Sequence, residues 1–370
     1  MQLDKVLLKV ASRCNINCSY CYVYNQGDTS WQRMPKHMSL DTVEEVLTRL
    51  AELYQDQQHP FDVVLHGGEP LLLPPNILQT LLQGLSDRLP ATCTRSIQTN
   101  AILVDEELLD LCLRTGTTLS VSLDGPPDVH DTFRIAFDSA GTYARAAAGI
   151  ARIRRHAHAD RLFTGALCVI DPHSDARRVY EFFKTLGVPS VDFLFKDGNL
   201  EKLPLGKSSI DSTEYGQWLA AIWDCYVTDT HPPRIRILDD LGRLLLGGKA
   251  VKEGFGQTVY GIAVVDTDGT IAKNDTLKST YDGADRFAEG WSVANARLSE
   301  IAASTEFAEY ALLQEPTSPV CQQCSLLPVC GGGMPLSRWH PETGFNNPSV
   351  YCADYKVLIG RMDETFQEYR

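Results

Sequence analysis

The sequence predicts an α/β protein, an open, partial (β/α)6 barrel followed by a smaller, loop-rich C-terminal domain. Three observations carry this. Short apolar runs alternate with segments of helical periodicity six times between residue 3 and about residue 230. The runs read as continuous apolar stretches, the pattern of strands buried on both faces of a parallel sheet. Past "HPPR" (231–234) the alternation stops, and glycine-rich turns and a late group of cysteines follow. The domains are therefore expected at 1–235 and 236–370.

The elements come in order. "KVLLKVAS" (5–12) is strand-like. Val43, Val46, Leu47, Leu50, Leu53 and Tyr54 then fall on one face of a helix over 41–54, with Ser39 as its N-cap. "FDVVLHGG" (61–68) precedes a helix over 75–87, and "CTRSIQTN" (93–100) precedes one over 105–114. "TLSVSLDG" (118–125) leads to a helix over 142–156, and "LFTGALCVI" (162–170) to one over 175–186. "SVDFLFK" (190–196) and a helix over 213–228 close the series. Six units are fewer than the eight of a closed TIM barrel, hence a partial one. Its chemistry is expected at the C-terminal ends of the strands. Beyond it, "GIAVVDTDGTIAKND" reads as a hairpin turning at Asp268-Gly269.

Composition narrows the function. The chain has 370 residues, 44% hydrophobic and 22% charged, which suits a globular protein. No apolar run approaches the ~20 residues that span a bilayer, and "MQLDKVLLKV" lacks a signal-peptide layout. A cytoplasmic protein with no membrane partner is expected. A net charge of −13 repels phosphate backbones, which argues against nucleic acid. Eleven cysteines, an odd number without an export signal, point to metal or redox duty. Cys93, Cys112, Cys168 and Cys225 sit singly in apolar segments and read as buried and structural. The others form two groups, Cys14/Cys18/Cys21 and Cys321/Cys324/Cys330/Cys352.

"RCNINCSYCYVY" (13–24) places three thiols on the loop after the first strand. Structural zinc usually takes four ligands, so a zinc site here would need one from afar. A cubane iron–sulfur cluster is normally held by four cysteines; held by three, it leaves one iron open. The C-x-x-x-C-x-x-C spacing, with Tyr20 before the last cysteine, resembles that of the radical S-adenosylmethionine (SAM) superfamily. The resemblance implies a [4Fe–4S] cluster on Cys14, Cys18 and Cys21, with SAM on the open iron.

Other motifs agree with that family. "GGEP", Gly67, Gly68, Glu69 and Pro70, resembles its second-strand motif, where backbone and glutamate receive the SAM amino group. Alone, these residues would read as a turn before a helix. Ser122 and Asp124 match positions of ribose and polar contacts. Arg134 matches an arginine that grips the SAM carboxylate, a task suited to two parallel donors. Leu194 resembles an adenine contact. A surface salt bridge for Arg134 and a core position for Leu194 are the plainer readings.

"CQQCSLLPVCGGGM" (321–334), with Cys352 beyond, resembles the SPASM/twitch-type auxiliary-cluster extension of peptide-modifying radical SAM enzymes. The full pattern has two extra clusters. Here 255–280 lacks cysteine and Met334 occupies the remaining ligand position, so one auxiliary [4Fe–4S] cluster on Cys321, Cys324, Cys330 and Cys352 is implied. Four cysteines with a C-x-x-C pair would also suit structural zinc.

The resemblance implies a maturase acting on a ribosomally made precursor peptide, fed electrons by a donor such as flavodoxin or ferredoxin. "CYVYNQGDTSW" (21–31) is similar to the subgroup that joins an aromatic ring carbon to a Cβ, forming a cyclophane. A loop packed by Trp31, with local turn bonds from Asp28 and Ser30, is the plainer reading. Formylglycine-generating sulfatase maturation, thioether formation and epimerisation are the alternative reactions. An iron–sulfur electron carrier or redox sensor is the non-enzymatic alternative. Asp275, in "NDT" with Asn274 at a ligand position, is a candidate base, although a side chain beside a hairpin is commonly just solvated. The first strand begins almost at residue 1, so no separate leader-binding domain is expected ahead of it.

Overall fold

A computed structural model describes residues 1–368. All six strand–helix units are present within a few residues of their expected spans. They are β1 (Lys5–Ala11), α1 (Leu40–Gln57), β2 (Asp62–Gly67), α2 (Pro75–Arg88), β3 (Arg95–Thr99) and α3 (Glu106–Thr115). β4 (Thr117–Ser122), α4 (Tyr143–Arg155), β5 (Phe163–Val169), α5 (Ala176–Leu186), β6 (Ser190–Leu194) and α6 (Glu214–Thr228) complete them. β7 (Arg234–Ile235), α7 (Arg236–Leu245), β8 (Ile262–Val265), β9 (Ile271–Ala272) and α8 (Cys352–Glu368) come later. The alternation and the mostly parallel pairing are those of a partial (β/α)6 barrel. Local chemistry sets the helix ends. Thr42 N donates to Ser39 Oγ at 3.1 Å, and Asp105 and Asp175 cap α3 and α5 in the same way. Gly116 and Gly187 end those two helices in the left-handed region, both at φ 62°.

The chain divides into two compact units. The first comprises 1–123, 130–165 and 260–310; the second comprises 124–129, 166–259 and 311–370. In the first, the strand order is β9-β8-β1-β2-β3-β4. β1 to β4 run parallel, so the loops after them share one edge of the sheet. The hairpin turns at Asp268-Gly269 as expected, with Gly269 at φ 85°. Its first strand does more than the local pattern predicts, because β8 pairs parallel with β1, from Lys5 opposite Ile262 to Leu8 opposite Val265. In the second unit β5, β6 and β7 pair in parallel. There α8 packs on α6, with Trp223 Nε1 donating to Thr365 Oγ1 at 3.0 Å.

One expectation needs correction. β2, β3 and β4 are not buried on both faces; burial alternates along each of them. Val63, Leu65, Ile97, Leu119 and Val121 are fully buried, whereas His66, Gln98, Ser120 and Ser122 are only half-buried. An incomplete barrel need not fill its second face with side chains, so polar residues are tolerated there. Of the scattered cysteines, Cys93, Cys112 and Cys168 are buried as expected, but Cys225 is half-buried. No helix among the described residues is long and apolar enough to cross a membrane.

Candidate active site

The loop after β1 is shaped by backbone bonds that fold the cysteines toward one another. Cys21 N donates to Cys18 O at 3.0 Å, and Asn25 Nδ2 donates to the same carbonyl at 2.8 Å. Cys18 also pairs with Arg134 in a two-stranded antiparallel ribbon, Asn17–Cys18 against Arg134–Ile135. Burial pushes the Cys14 thiol up to about 12, and Glu69, Cys18 and Cys21 add to the rise. The three thiols and the Glu69 carboxylate therefore lie within electrostatic reach.

The glycines of "GGEP" have a steric explanation. A Cβ on Gly67, at φ 140°, would lie 2.2 Å from Ala11 O; one on Gly68 would lie 2.1 Å from Tyr24 Oη and 2.2 Å from Arg13 O. Gly68 N and Glu69 N donate to Ala11 O and Arg13 O at 2.8 and 2.9 Å, stitching the motif to the segment entering Cys14. Only glycine permits that approach. Pro70 follows at the start of a 3-10 turn (Pro70–Leu72).

Glu69 is 1% exposed and held on three sides. Thr99 Oγ1 donates to it at 2.6 Å, Asn100 N at 2.9 Å and Leu71 N at 3.1 Å. Burial nonetheless pushes its pKa up, against those bonds and against the charge of Arg134. Thr99 and Asn100 are thus working parts of the site that the sequence marked only as a loop. Asn100 Nδ2 also donates to Asn15 Oδ1, between the first two cysteines, at 2.7 Å.

Arg134 is not on the surface. It is 7% exposed and donates to Tyr20 Oη at 2.9 Å, which gives the aromatic residue before Cys21 a positioning task. Tyr20 in turn packs on Phe133, centroids 5.9 Å apart. Ser122 Oγ accepts from Gln98 Nε2 at 2.8 Å. In the second unit, Asp124 is 2% exposed and its Oδ1 accepts from Val169 N at 3.1 Å; Leu194 ends β6, half-buried.

Asp275 is not solvated. It is 2% exposed and its Oδ2 accepts from Lys9 Nζ at 2.9 Å and Tyr22 Oη at 2.7 Å. Burial alone would raise its pKa, but the charges of Lys9 and His66 and the two hydrogen bonds bring it down to about 2. Asn274 accepts from Thr276 N at 3.1 Å and so caps a 3-10 turn (Asp275–Ser279). Beside it, Lys278 Nζ reaches Asp28 at 3.2 Å, Ser30 Oγ at 3.3 Å and Asp285 at 3.6 Å. Trp31 packs edge-on against Tyr24, centroids 5.0 Å apart, and lies under Arg13. The Asp-x-Ser-Trp segment is therefore a clamped loop. Sequence reasoning missed Lys9 and His66. Their signals were a charge inside an apolar strand and an imidazole directly before two glycines.

In the second unit, Cys321 lies on a short helix (Pro319–Gln322), Cys330 ends another (Leu327–Cys330), and Cys352 opens α8. Cys324 N donates to Cys321 O at 3.0 Å. Burial pushes the Cys330 thiol up to about 12, with Cys352, Cys321 and Cys324 contributing. Gly331, Gly332 and Gly333 all have positive φ; a Cβ on Gly331 would lie 2.0 Å from Gly256 O. Among the described residues no three Cys, His, Asp or Glu side chains converge as a single-ion site.

A family model for the radical SAM superfamily matches residues 8–186, which contain the three-thiol loop, "GGEP", Ser122, Asp124 and Arg134. The chain carries a radical SAM domain. That membership implies a [4Fe–4S] cluster and SAM, which Cys14, Cys18, Cys21, Glu69 and Arg134 would hold. A cysteine-type anaerobic sulfatase-maturating enzyme of Clostridium perfringens is 23% identical over 365 residues, covering 96% of this chain and 95% of that protein. A serine-type counterpart from Bacteroides thetaiotaomicron is 25% identical over 241 residues, 60% of this chain and 56% of that one. Among solved structures, native anSMEcpe with bound AdoMet and Cp18Cys peptide has a TM-score of 0.82 at 20% identity, covering 99% of this chain and 98% of that one. Streptococcus suis SuiB bound to precursor peptide SuiA has a TM-score of 0.63 at 11% identity, covering 90% and 72%. The structural likenesses concern the fold, which the chain shares with native anSMEcpe over 99% of its length.

Proposed function

We propose that this radical SAM enzyme is a peptide maturase that removes two hydrogens from a ribosomally made precursor and joins two of its side chains, as an aromatic carbon to Cβ crosslink. The observation that carries the SAM-dependent part is the buried pair Glu69 and Arg134 beside the three-thiol loop. Burial raises the carboxyl's pKa and the guanidinium's charge opposes that rise, while Glu69 adds to the rise of Cys14. An acid and a base buried together form a receptor for an amino-acid zwitterion, with Glu69 receiving the ammonium and Arg134 the carboxylate. Tyr20, Thr99 and Asn100 keep both groups in place. When bound, the cluster and SAM supply a 5′-deoxyadenosyl radical able to take a hydrogen atom from an unreactive carbon.

The four-cysteine group in the second unit is read as an auxiliary [4Fe–4S] cluster able to take an electron. The crosslinking assignment draws on the clamped 21–31 loop and on the replacement of the other cluster's ligands by Asn274 and Met334. The relatives favour a second reading, in which a serine or cysteine of the substrate is oxidised to formylglycine. Asp275 occupies the position that this reading requires. Partners under either reading are a polypeptide substrate and a low-potential donor such as flavodoxin or ferredoxin.

Co-expression with a precursor encoded nearby, followed by mass spectrometry and NMR, tests the proposal. The expected product lacks two hydrogens per event, keeps an uncut chain, and has lost one aromatic and one β proton. A product trapped by a hydrazide would be an aldehyde and favour formylglycine. An unchanged proton count with an inverted Cα would mean epimerisation.

A further inference from the structure

Strand register lines up polar residues across the sheet of the first unit, near the C-terminal ends of its strands. Lys9 on β1 is opposite His66 on β2, and Gln98 on β3 is opposite Ser120 on β4. The Leu65–Ile97 pairing puts His66 and Gln98 in adjoining positions. Two of these side chains are engaged. Lys9 is bound to Asp275, which also accepts from Tyr22, and Gln98 donates to Ser122. His66 Nδ1 is sealed from solvent and has no hydrogen-bond partner. An orphaned buried nitrogen is costly to keep, and a catalytic role is one of the reasons native proteins retain one.

Resting on the maturase reading above, we propose that His66 accepts the proton that the peptide loses when its new bond forms. In that step a Cβ–H and an aromatic C–H break and one C–C bond forms. One hydrogen leaves as an atom to the deoxyadenosyl radical, the other leaves as a proton to His66, and an oxidised iron–sulfur acceptor takes the remaining electron. Asp275 is poorly suited to this task because its Oδ2 already accepts from both Lys9 and Tyr22. Its task is to hold Lys9 and Tyr22. The charged groups facing His66 are Lys9 from β1 and Asp275 from the turn after β9. Burial lowers the imidazole pKa, Lys9 adds to this and Asp275 opposes it, so the ring is neutral and able to take up a proton.

The test compares wild type with His66→Gln, which retains hydrogen bonding without the basicity, and with His66→Ala. Peptide affinity measured by titration should stay within about twofold, and 5′-deoxyadenosine should still form. Dehydrogenated peptide per deoxyadenosine should fall about 10²–10⁴-fold, the usual worth of a general base. Imidazole should partly restore the alanine variant. The ratio in wild type should fall as pH drops below the ordinary imidazole range, and this dependence should vanish in His66→Gln. A glutamine variant within threefold of wild type overturns the proposal alone. A wild type that never yields dehydrogenated peptide overturns the maturase reading and this proposal with it.

Discussion

The two cysteine groups have different surroundings. Around Cys14, Cys18 and Cys21 the neighbours are Glu69, Arg134, Asn15 and Asn100, charged or polar groups whose hydrogen bonds hold one another in position. Around Cys321, Cys324, Cys330 and Cys352 the neighbours include rings as well as charged groups, among them Lys356 and Asp354, whose charges act on Cys352. Phe255 and Tyr355 have centroids 5.3 Å apart, and Phe195 lies 4.5 Å from Tyr351. Cys330 helps burial to raise the Tyr355 pKa, which places that ring beside the thiol. The nearby guanidinium of Arg338 is 1% exposed, and burial lowers its pKa to about 10 against the pull of Cys321 and Cys330. Buried acid and base groups suit a charged ligand, whereas packed rings exclude water and, with the buried Arg338, would tune the energy of an electron on a cluster held there. On the proposed function, the first group would activate a ligand and the second would carry an electron.

That contrast breaks first at the thiols. Replacing Cys14, Cys18 and Cys21 together by alanine should abolish SAM cleavage and leave about four of about eight irons, in the ferrous-chelator assay of reconstituted protein. Cys330→Ala should retain SAM cleavage while losing peptide product. Equal loss of cleavage in both variants would erase the distinction between the groups.

The buried ion pair sharpens the polar side of the contrast. Lys9→Met leaves the Asp275 carboxylate buried without its cation and should destabilise the protein by about 3–5 kcal/mol in denaturant titration. The pH dependence has a definite sign. The Asp275 carboxyl is depressed from 3.8 to about 2, so its contribution is complete above the ordinary carboxylate range and is lost as pH falls toward 2. Linkage puts that loss at about 2 kcal/mol. The Lys9 ammonium is raised above its ordinary value; burial opposes this, and Asp275, Asp266 and Asp285 outweigh it. Its contribution is complete below the ordinary lysine pKa and is lost as pH rises above it toward the raised folded value. A Lys9→Met protein as stable as wild type at pH 7 would mean that the pair does not hold this wall together.

The smallest effect concerns the ligand receptor. Glu69→Gln and Arg134→Ala should each weaken SAM binding about tenfold to a hundredfold, the worth of one charged hydrogen bond, with iron content unchanged. Unchanged affinity in calorimetric titration of Arg134→Ala would leave that residue only its structural contacts with Tyr20 and the Cys18 ribbon.

Much of the fold was legible because its signals are local. Helical faces such as Val43, Val46, Leu47, Leu50 and Leu53, the Ser39 cap and the Asp268-Gly269 turn each depend on a few neighbouring residues, and all appear as read. The thiol spacings and "GGEP" are equally local. Misreadings occurred where burial depends on distant chain. β2 to β4 look apolar enough for two buried faces, yet the incomplete barrel covers only one fully. Arg134 and Asp275 look like surface residues until the segments they meet are known.

The sequence by itself determined the order of strands and helices, the grouping of thiols into three and four, and the glycines that let "GGEP" approach the cluster loop. Periodicity, spacing and side-chain size encode these within a few residues. Only the tertiary structure decided that β8 extends the sheet beside β1, and that Tyr22 and Asp275, 253 residues apart, share a hydrogen bond alongside Lys9. The same holds for His66, whose place between Lys9 and Gln98 follows from parallel register. Register is set by the packing of whole strands, and no short stretch of chain contains it.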